Sequence, residues 1–157
     1  MENDSSQSPT KAREQFIEDL RSKNRATATI LAYGKDIEQL IDFLEKMEVS
    51  SITAITADHI KAFTENLGKL NYTAKSVSRK INSIKSFFRF LKGKEYLESN
   101  PATNITHPHY EVKPPRVLSK MEYRALRDAC RTDTRISAIV ELLLQTGMRI
   151  GELANLK

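Results

Sequence analysis

Between residues 26 and 47 the apolar residues Ile30, Tyr33, Ile37, Leu40, Leu44 and Met47 recur at spacings of three and four. A strand alternates with a period of two, so this rhythm commits the segment to a long helix with one buried stripe. Ile41 and Phe43 widen the stripe, which calls for more than one packing neighbour. A helix of this kind is stable only when other elements cover its apolar face, so it constrains the rest of the chain to supply them.

The flanking segments carry the same rhythm. Ser8-Pro9 reads as an N-cap with proline at the first helical position, opening a helix to about Lys23 with Phe16, Ile17 and Leu20 buried. Thr56 caps a third helix, with Asp58 in its first turn and Ile60, Phe63 and Leu67 inward; Gly68 is expected to end it. A fourth helix runs from Thr73 or Ala74 to about Leu91, with Val77, Ile81, Ile84, Phe88 and Leu91 as its core stripe. Phe87 and Phe90 lie off that stripe and are expected against the first helix, the linker or a partner.

Charge is segregated along these helices. Residues 26–67 carry three lysines against seven acids, whereas residues 73–98 carry seven basic residues against Glu95 and Glu98. At about 100° per residue, Lys75, Arg79, Asn82, Ser86 and Arg89 share the face opposite the core stripe of the fourth helix. A basic, hydrogen-bonding helix face suits the major groove of duplex DNA; the plainer reading is a solvated lysine-rich face. Lys80, beside Arg79, and Lys23 and Arg25, at the approach to the second helix, complete the candidate DNA-binding set.

Residues 93–118 hold four of the five prolines and show no clean periodicity, as an interdomain linker would. His107 and His109 lack neighbouring ligands and read as linker residues, not metal ligands. Ser119 and Glu122 are spaced as a capping box for a fifth helix, with Tyr123, Leu126 and Ala129 on its inner face. An apolar helix follows from about Ile136 to Gln145 and breaks at Thr146-Gly147, where glycine accepts a positive φ. Arg149 comes directly after the break, and Glu152, Leu153 and Leu156 start a new helical pattern. An arginine on a short turn between helices can present its planar fork to a phosphate; it can equally be a surface residue after a helix cap.

Composition narrows the classes. Over 157 residues the net charge is +5 and the sequence pI about 9.3, which points to a polyanionic partner. A single cysteine, Cys130, permits no intramolecular disulfide and leaves no Cys/His cluster for a metal. No apolar run approaches a membrane span, and the polar start MENDSSQSPTK has no signal-peptide core, so a cytoplasmic location is expected.

The stretch LLLQTGMRIGEL, residues 142–153, resembles the first catalytic-arginine motif of the tyrosine recombinases, the phage-integrase and Xer-type family. Residues 29–37, TILAYGKDI, and 78–91, SRKINSIKSFFRFL, resemble that family's second and fourth helices. Ser99-Asn100-Pro101-Ala102 and Pro115-Arg116-Val117-Leu118-Ser119 resemble its linker and the start of its catalytic domain. The polar N-terminus, residues 1–9, is expected to be disordered, since it lacks large apolar groups. The resemblance implies an all-α chain: a four-helix core-binding (SAM-like) domain over 10–92, a linker over 93–115, and a truncated start of the catalytic domain over 116–157. It implies that Arg149 contacts the scissile phosphate and that Glu152 supports it or serves structure.

In the family two domains clamp duplex DNA, and a tyrosine attacks the phosphate to form a 3′-phosphotyrosyl link without metal or other cofactor. Two arginines, a lysine and histidines of the family stabilise the charge that develops at phosphorus. Of that set only the first arginine has a counterpart here, and Tyr110 and Tyr123 precede it and do not match the nucleophile. The expected partners are double-stranded DNA and further protomers on it, with no membrane. The chain alone is expected to bind DNA and not to cut it. The competing readings are a naturally short, non-catalytic DNA-binding protein and a helical protein-interaction adaptor.

Overall fold

The computed structural model describes residues 8–112 and 114–156. Of the disorder expected over residues 1–9, residues 1–7 lie outside the described residues, whereas Ser8 caps the first helix and Pro9 is its buried first residue. The described residues fold into α1 (Pro9–Ser22), α2 (Thr27–Glu45), a 3-10 turn (Ile52–Ala54), α3 (Ala57–Lys69), α4 (Ala74–Gly93), α5 (Lys120–Ala129), α6 (Thr134–Thr146) and α7 (Ile150–Ala154). The chain separates into two compact units between Glu111 and Val112.

In the first unit α2 and α4 each pack against the other three bundle helices. Their stripes supply Ile37, Leu40, Ile41 and Leu44 from α2, and Val77, Ile81, Ile84, Phe87, Phe88 and Leu91 from α4. Phe16 of α1 lies against Phe87 at 5.4 Å, Phe90 at 5.5 Å and Tyr33 at 6.5 Å, measured between ring centroids. Edge and offset arrangements of this kind add to the apolar burial. The two phenylalanines off the α4 stripe thus pack on the first helix. Met47 falls beyond the end of α2 and is exposed, so the stripe stops one turn earlier than its rhythm suggests.

The expected linker over 93–115 is in part core. Ala102 and Ile105 are buried in the bundle, Tyr96 and Leu97 pack against it, and the Asn100 side chain accepts from the Ala102 N–H at 2.9 Å to hold the turn. His107 meets the buried Ser78 hydroxyl of α4 through Nδ1 at 2.9 Å. Proline and broken periodicity signalled the absence of a helix here; they do not report whether a coil segment is packed.

Each bundle helix ends in one device. Asn24, Glu48, Asn71 and Glu95 adopt φ of 52°, 60°, 59° and 60°. The following N–H groups of Arg25, Val49, Tyr72 and Tyr96 reach back to the carbonyls of Leu20, Leu44, Leu67 and Leu91 at 3.0–3.1 Å. This six-to-one bond closes a Schellman motif, which usually has glycine at the left-handed position. Gly68, expected to stop α3, instead lies inside it, and the helix closes two residues later through Leu70 and Asn71.

In the second unit Ser119 and Glu122 form the expected reciprocal cap of α5, and Gly147 ends α6 with φ 66°. The inner face expected of α5 is not enclosed: among the described residues α5, α6 and α7 bury no side chain, and Leu126 and Ile136 are exposed. Arg127 Nε joins Glu141 at 2.8 Å, which ties α5 to α6.

A left-handed conformation costs a non-glycine residue roughly 1–2 kcal/mol, against which glycine loses about 0.5–1 kcal/mol of chain entropy. Glu48→Gly and Glu95→Gly are therefore each expected to stabilise the first unit by about 0.5–1 kcal/mol. A rise in the urea midpoint with an unchanged slope is the measurement; a fall in the midpoint contradicts the assignment.

Candidate nucleic-acid interface

The polar stripe of α4 divides along its length. In the N-terminal half Arg79, with Lys80 beside it, turns toward α2. Asp36 sits on α2 three residues after Tyr33 and four before Leu40, inside the apolar stripe, and is 1% exposed. Its carboxylate accepts from Arg79 Nη1 at 2.5 Å and Nη2 at 2.9 Å, from Lys80 Nζ at 2.9 Å and from Ser83 Oγ at 2.5 Å. Lys80 is 5% exposed and also donates to Gln39 Oε1 at 2.6 Å, which removes it from the DNA-binding set. A buried ammonium needs a charge partner, and this one has it. Arg79 keeps its side chain 49% exposed, but both terminal nitrogens are engaged by Asp36. Lys75 is exposed on the first turn of α4 and stands apart from the cleft described next.

In the C-terminal half the stripe faces an open cleft of about 930 Å³ between α4 and the α1–α2 junction. Its walls carry Lys23, Arg25, Lys85, Arg89 and Lys94, with Asn82 and Ser86 between them and Phe16, Tyr33 and Phe90 beneath. The left-handed Asn24 lets the chain reverse from α1 into α2 within a few residues and sets Lys23 and Arg25 on the rim. Among the described residues Arg25, Lys85, Arg89 and Lys94 form no ion pair, whereas Lys35 and Lys61 on α2 and α3 are paired with Glu38 and Asp58. The structure thus gathers five of the expected residues, Lys23, Arg25, Asn82, Ser86 and Arg89, at one place. It adds Lys85 and Lys94, which a single-face projection of α4 excludes because the cleft wall wraps around the helix. The warning for Arg79 and Lys80 was present in Asp36: a carboxylate within an apolar stripe needs cations from the neighbouring helix.

The second candidate feature is local. Thr146 Oγ1 donates to the Leu142 carbonyl at 2.6 Å and accepts from the Met148 N–H at 3.3 Å, which fixes the turn around Gly147. Arg149 is the N-cap of α7 in extended backbone, φ −78°. Its N–H donates to Glu152 Oε2 at 2.9 Å and its Nη1 to Glu152 Oε1 at 3.0 Å, while its side chain remains 85% exposed. One carboxylate therefore caps the helix and aligns the guanidinium.

Residues 14–95 match the family described as phage integrase, N-terminal SAM-like domain. The chain belongs to the tyrosine recombinase family. It is 34% identical over 149 residues to the tyrosine recombinase XerD of Rickettsia bellii, covering 91% of this chain and 48% of that protein. It is 33% identical over 147 residues to the tyrosine recombinase XerC of Oceanobacillus iheyensis, covering 90% and 48%. The chain spans about half the length of the curated relatives it matches. The helical fold is shared with a lambda integrase dimer bound to a COC′ core site: TM-score 0.74, 20% identity, 97% of this chain and 42% of that one. The XerA recombinase is also similar, with TM-score 0.51, 30% identity, and 94% and 50% covered. Among the described residues of this recombinase-family chain, no helix is long and apolar enough to cross a membrane.

The backbone N–H of Arg149, and after it the guanidinium, hold the Glu152 carboxyl below its ordinary value of 4.5. A carboxylate depressed in the folded state contributes stability above its unfolded pKa, and that contribution is lost as pH falls through the folded value. The α7 cap is therefore expected to persist from neutral pH to about 4.5 and to open below it. The Arg149 amide shift followed by NMR against pH measures this. Glu152→Gln should remove the acid step; an unaltered titration in that variant contradicts the cap.

Proposed function

We propose that the first unit is a duplex-DNA-binding module and that the cleft between α4 and the α1–α2 junction receives the sugar–phosphate backbone. The observation that carries this reading is the gathering of five cations on one cleft, four of which, Arg25, Lys85, Arg89 and Lys94, form no ion pair among the described residues. Unpaired cations at a concave surface attract a polyanion and release its condensed counterions on binding. Asn82 and Ser86, set between the cations, are suited to base edges, since a side-chain amide or hydroxyl can read donors and acceptors that a point charge does not distinguish. The relatives are tyrosine recombinases, and one of the structural neighbours is a dimer on its core site. The partners proposed for this chain are accordingly double-stranded DNA and further protomers assembled on it, in the cytoplasm.

Residues 116–157 are proposed as the opening segment of a recombinase catalytic domain, with Arg149 on the scissile phosphate and Glu152 holding its guanidinium in line. The pairing of the two side chains supports those roles: a bidentate fork anchored through one nitrogen keeps its remaining N–H groups for a phosphoryl oxygen. Charge that builds on the phosphoryl oxygens is stabilised most by donors already in place.

Charge reversal at Arg25, Lys85 and Arg89 is expected to weaken duplex binding and to flatten the slope of log affinity against log salt. The change should be roughly 0.9 for each phosphate that is no longer neutralised. Salt-dependent fluorescence anisotropy tests it, and an unchanged slope moves the DNA elsewhere.

In a recombinase of the relatives' length carrying this sequence, Arg149→Ala is expected to leave site binding nearly intact. Formation of the covalent protein–DNA adduct should slow on the order of a hundredfold or more. Arg149→Lys should fail to restore it, because an ammonium has no fork. Adduct trapped on a suicide substrate at wild-type rate in Arg149→Ala removes this arginine from the reaction.

A further inference from the structure

The cleft contains one acid among its cations. Asp19 lines the cleft together with Lys23, Arg25, Lys85, Arg89 and Lys94, and no other carboxylate among the described residues does. Its side chain is only 18% exposed, and its Oδ2 accepts from Lys23 Nζ at 2.7 Å. The position is poor for a carboxylate on local grounds. It falls in the last turn of α1, where the helix dipole repels negative charge. Lys23, one residue past the helix end, is by contrast well placed as a cation. The other four cleft cations form no ion pair among the described residues, so the cleft is fully open to a polyanion except at Lys23.

We infer that Asp19 is a built-in competitor for phosphate: it occupies Lys23 in the free protein and gives it up when a phosphodiester oxygen enters the cleft. The inference rests on the DNA reading of the cleft and adds a regulating residue to it. The chemistry is an exchange of one oxyanion for another on the same ammonium. A lysine already neutralised by a carboxylate contributes little to counterion release when it meets DNA, because one anion replaces another. The pair therefore makes sequence-independent binding weaker and less salt-sensitive than five free cations would make it.

Four forms of the 157-residue chain test this against a mixed-sequence B-form duplex over a range of salt: wild type, Asp19→Asn, Lys23→Met and the double variant. The asparagine keeps the shape of Asp19, and the Asp19 carbonyl that accepts from Ser22 Oγ and the Lys23 N–H is unaffected by the change. With Lys23 present, Asp19→Asn should tighten binding and steepen the log–log salt slope by roughly 0.9. With Lys23→Met, the same substitution should leave the slope unchanged. Its gain in affinity should also be about twofold smaller, the worth of an exposed i,i+4 pair expressed as an equilibrium ratio. Equal gains and equal slope changes in both backgrounds would mean that Asp19 acts through its field alone and would overturn the exchange. No gain in either background would mean that Lys23 meets no phosphate and would overturn it too. The Arg25, Lys85 and Arg89 charge-reversal variant separates the two levels. If that variant binds like the wild type, the DNA reading of the cleft itself fails. If it binds weakly while Asp19→Asn changes nothing, only the competitor role fails.

Discussion

The first unit depends on one buried carboxylate. Asp36 of α2 takes four hydrogen bonds from Arg79, Lys80 and Ser83 of α4, and none of those partners can be dropped without leaving charge or a polar group stranded in the core. Removing one member of such a buried set typically costs about 3–5 kcal/mol, because the remaining charge has lost its compensation. The bonds also act as a register pin. Apolar stripes slide against one another at modest cost, whereas a bidentate arginine and a buried ammonium fit only one alignment of two helices. That alignment places Tyr33, one turn before Asp36, in the same cleft as Asn82 and Ser86, which flank Ser83 on α4. The cleft is therefore set by the same contact that withdraws Arg79 and Lys80 from it.

Helix ends finish the cleft. The chain leaves α1 through the left-handed Asn24 and returns as α2 within a few residues, so Lys23 and Arg25 are carried by a short turn instead of a long loop. Short connections lose little entropy on ordering, and cations on them keep a defined position for a phosphate. The same six-to-one closure recurs at Glu48, Asn71 and Glu95 with no glycine in any of the four. The bundle thus tolerates four strained residues, and the burial of Leu20, Leu44, Leu67 and Leu91 beside those turns offsets the strain.

The second unit works on different terms. Its helices bury no side chain among the described residues, yet the geometry around Arg149 is well specified. Local bonds achieve this: Thr146 braces the turn, Gly147 supplies the positive φ, and Glu152 both caps α7 and grips the guanidinium. A site assembled from a handful of consecutive residues does not need a core to form. It needs one to become rigid, and rigidity is what electrostatic stabilisation of a phosphoryl group requires.

The Arg149 turn and the helices themselves were legible in the sequence because both are short-range. Apolar residues three and four apart, Ser8 before Pro9, Ser119 three before Glu122 and glycine at 147 act within a few residues of one another, and the structure has each of them in place. The packing of 96–107, the true end of α3 and the fate of the α4 stripe were not legible, since each depends on a partner distant in the chain or on how a helix closes. Ile105 reads as coil until a bundle surface receives it, and Gly68 reads as a stop until Asn71 proves able to close the helix. Arg79 and Arg89 lie on the same polar face of α4, yet one is held by Asp36 and the other stands free in the cleft. Periodicity determines which face of a helix a residue occupies. What lies opposite that face, a carboxylate 43 residues away or open solvent, is decided only when the helices pack.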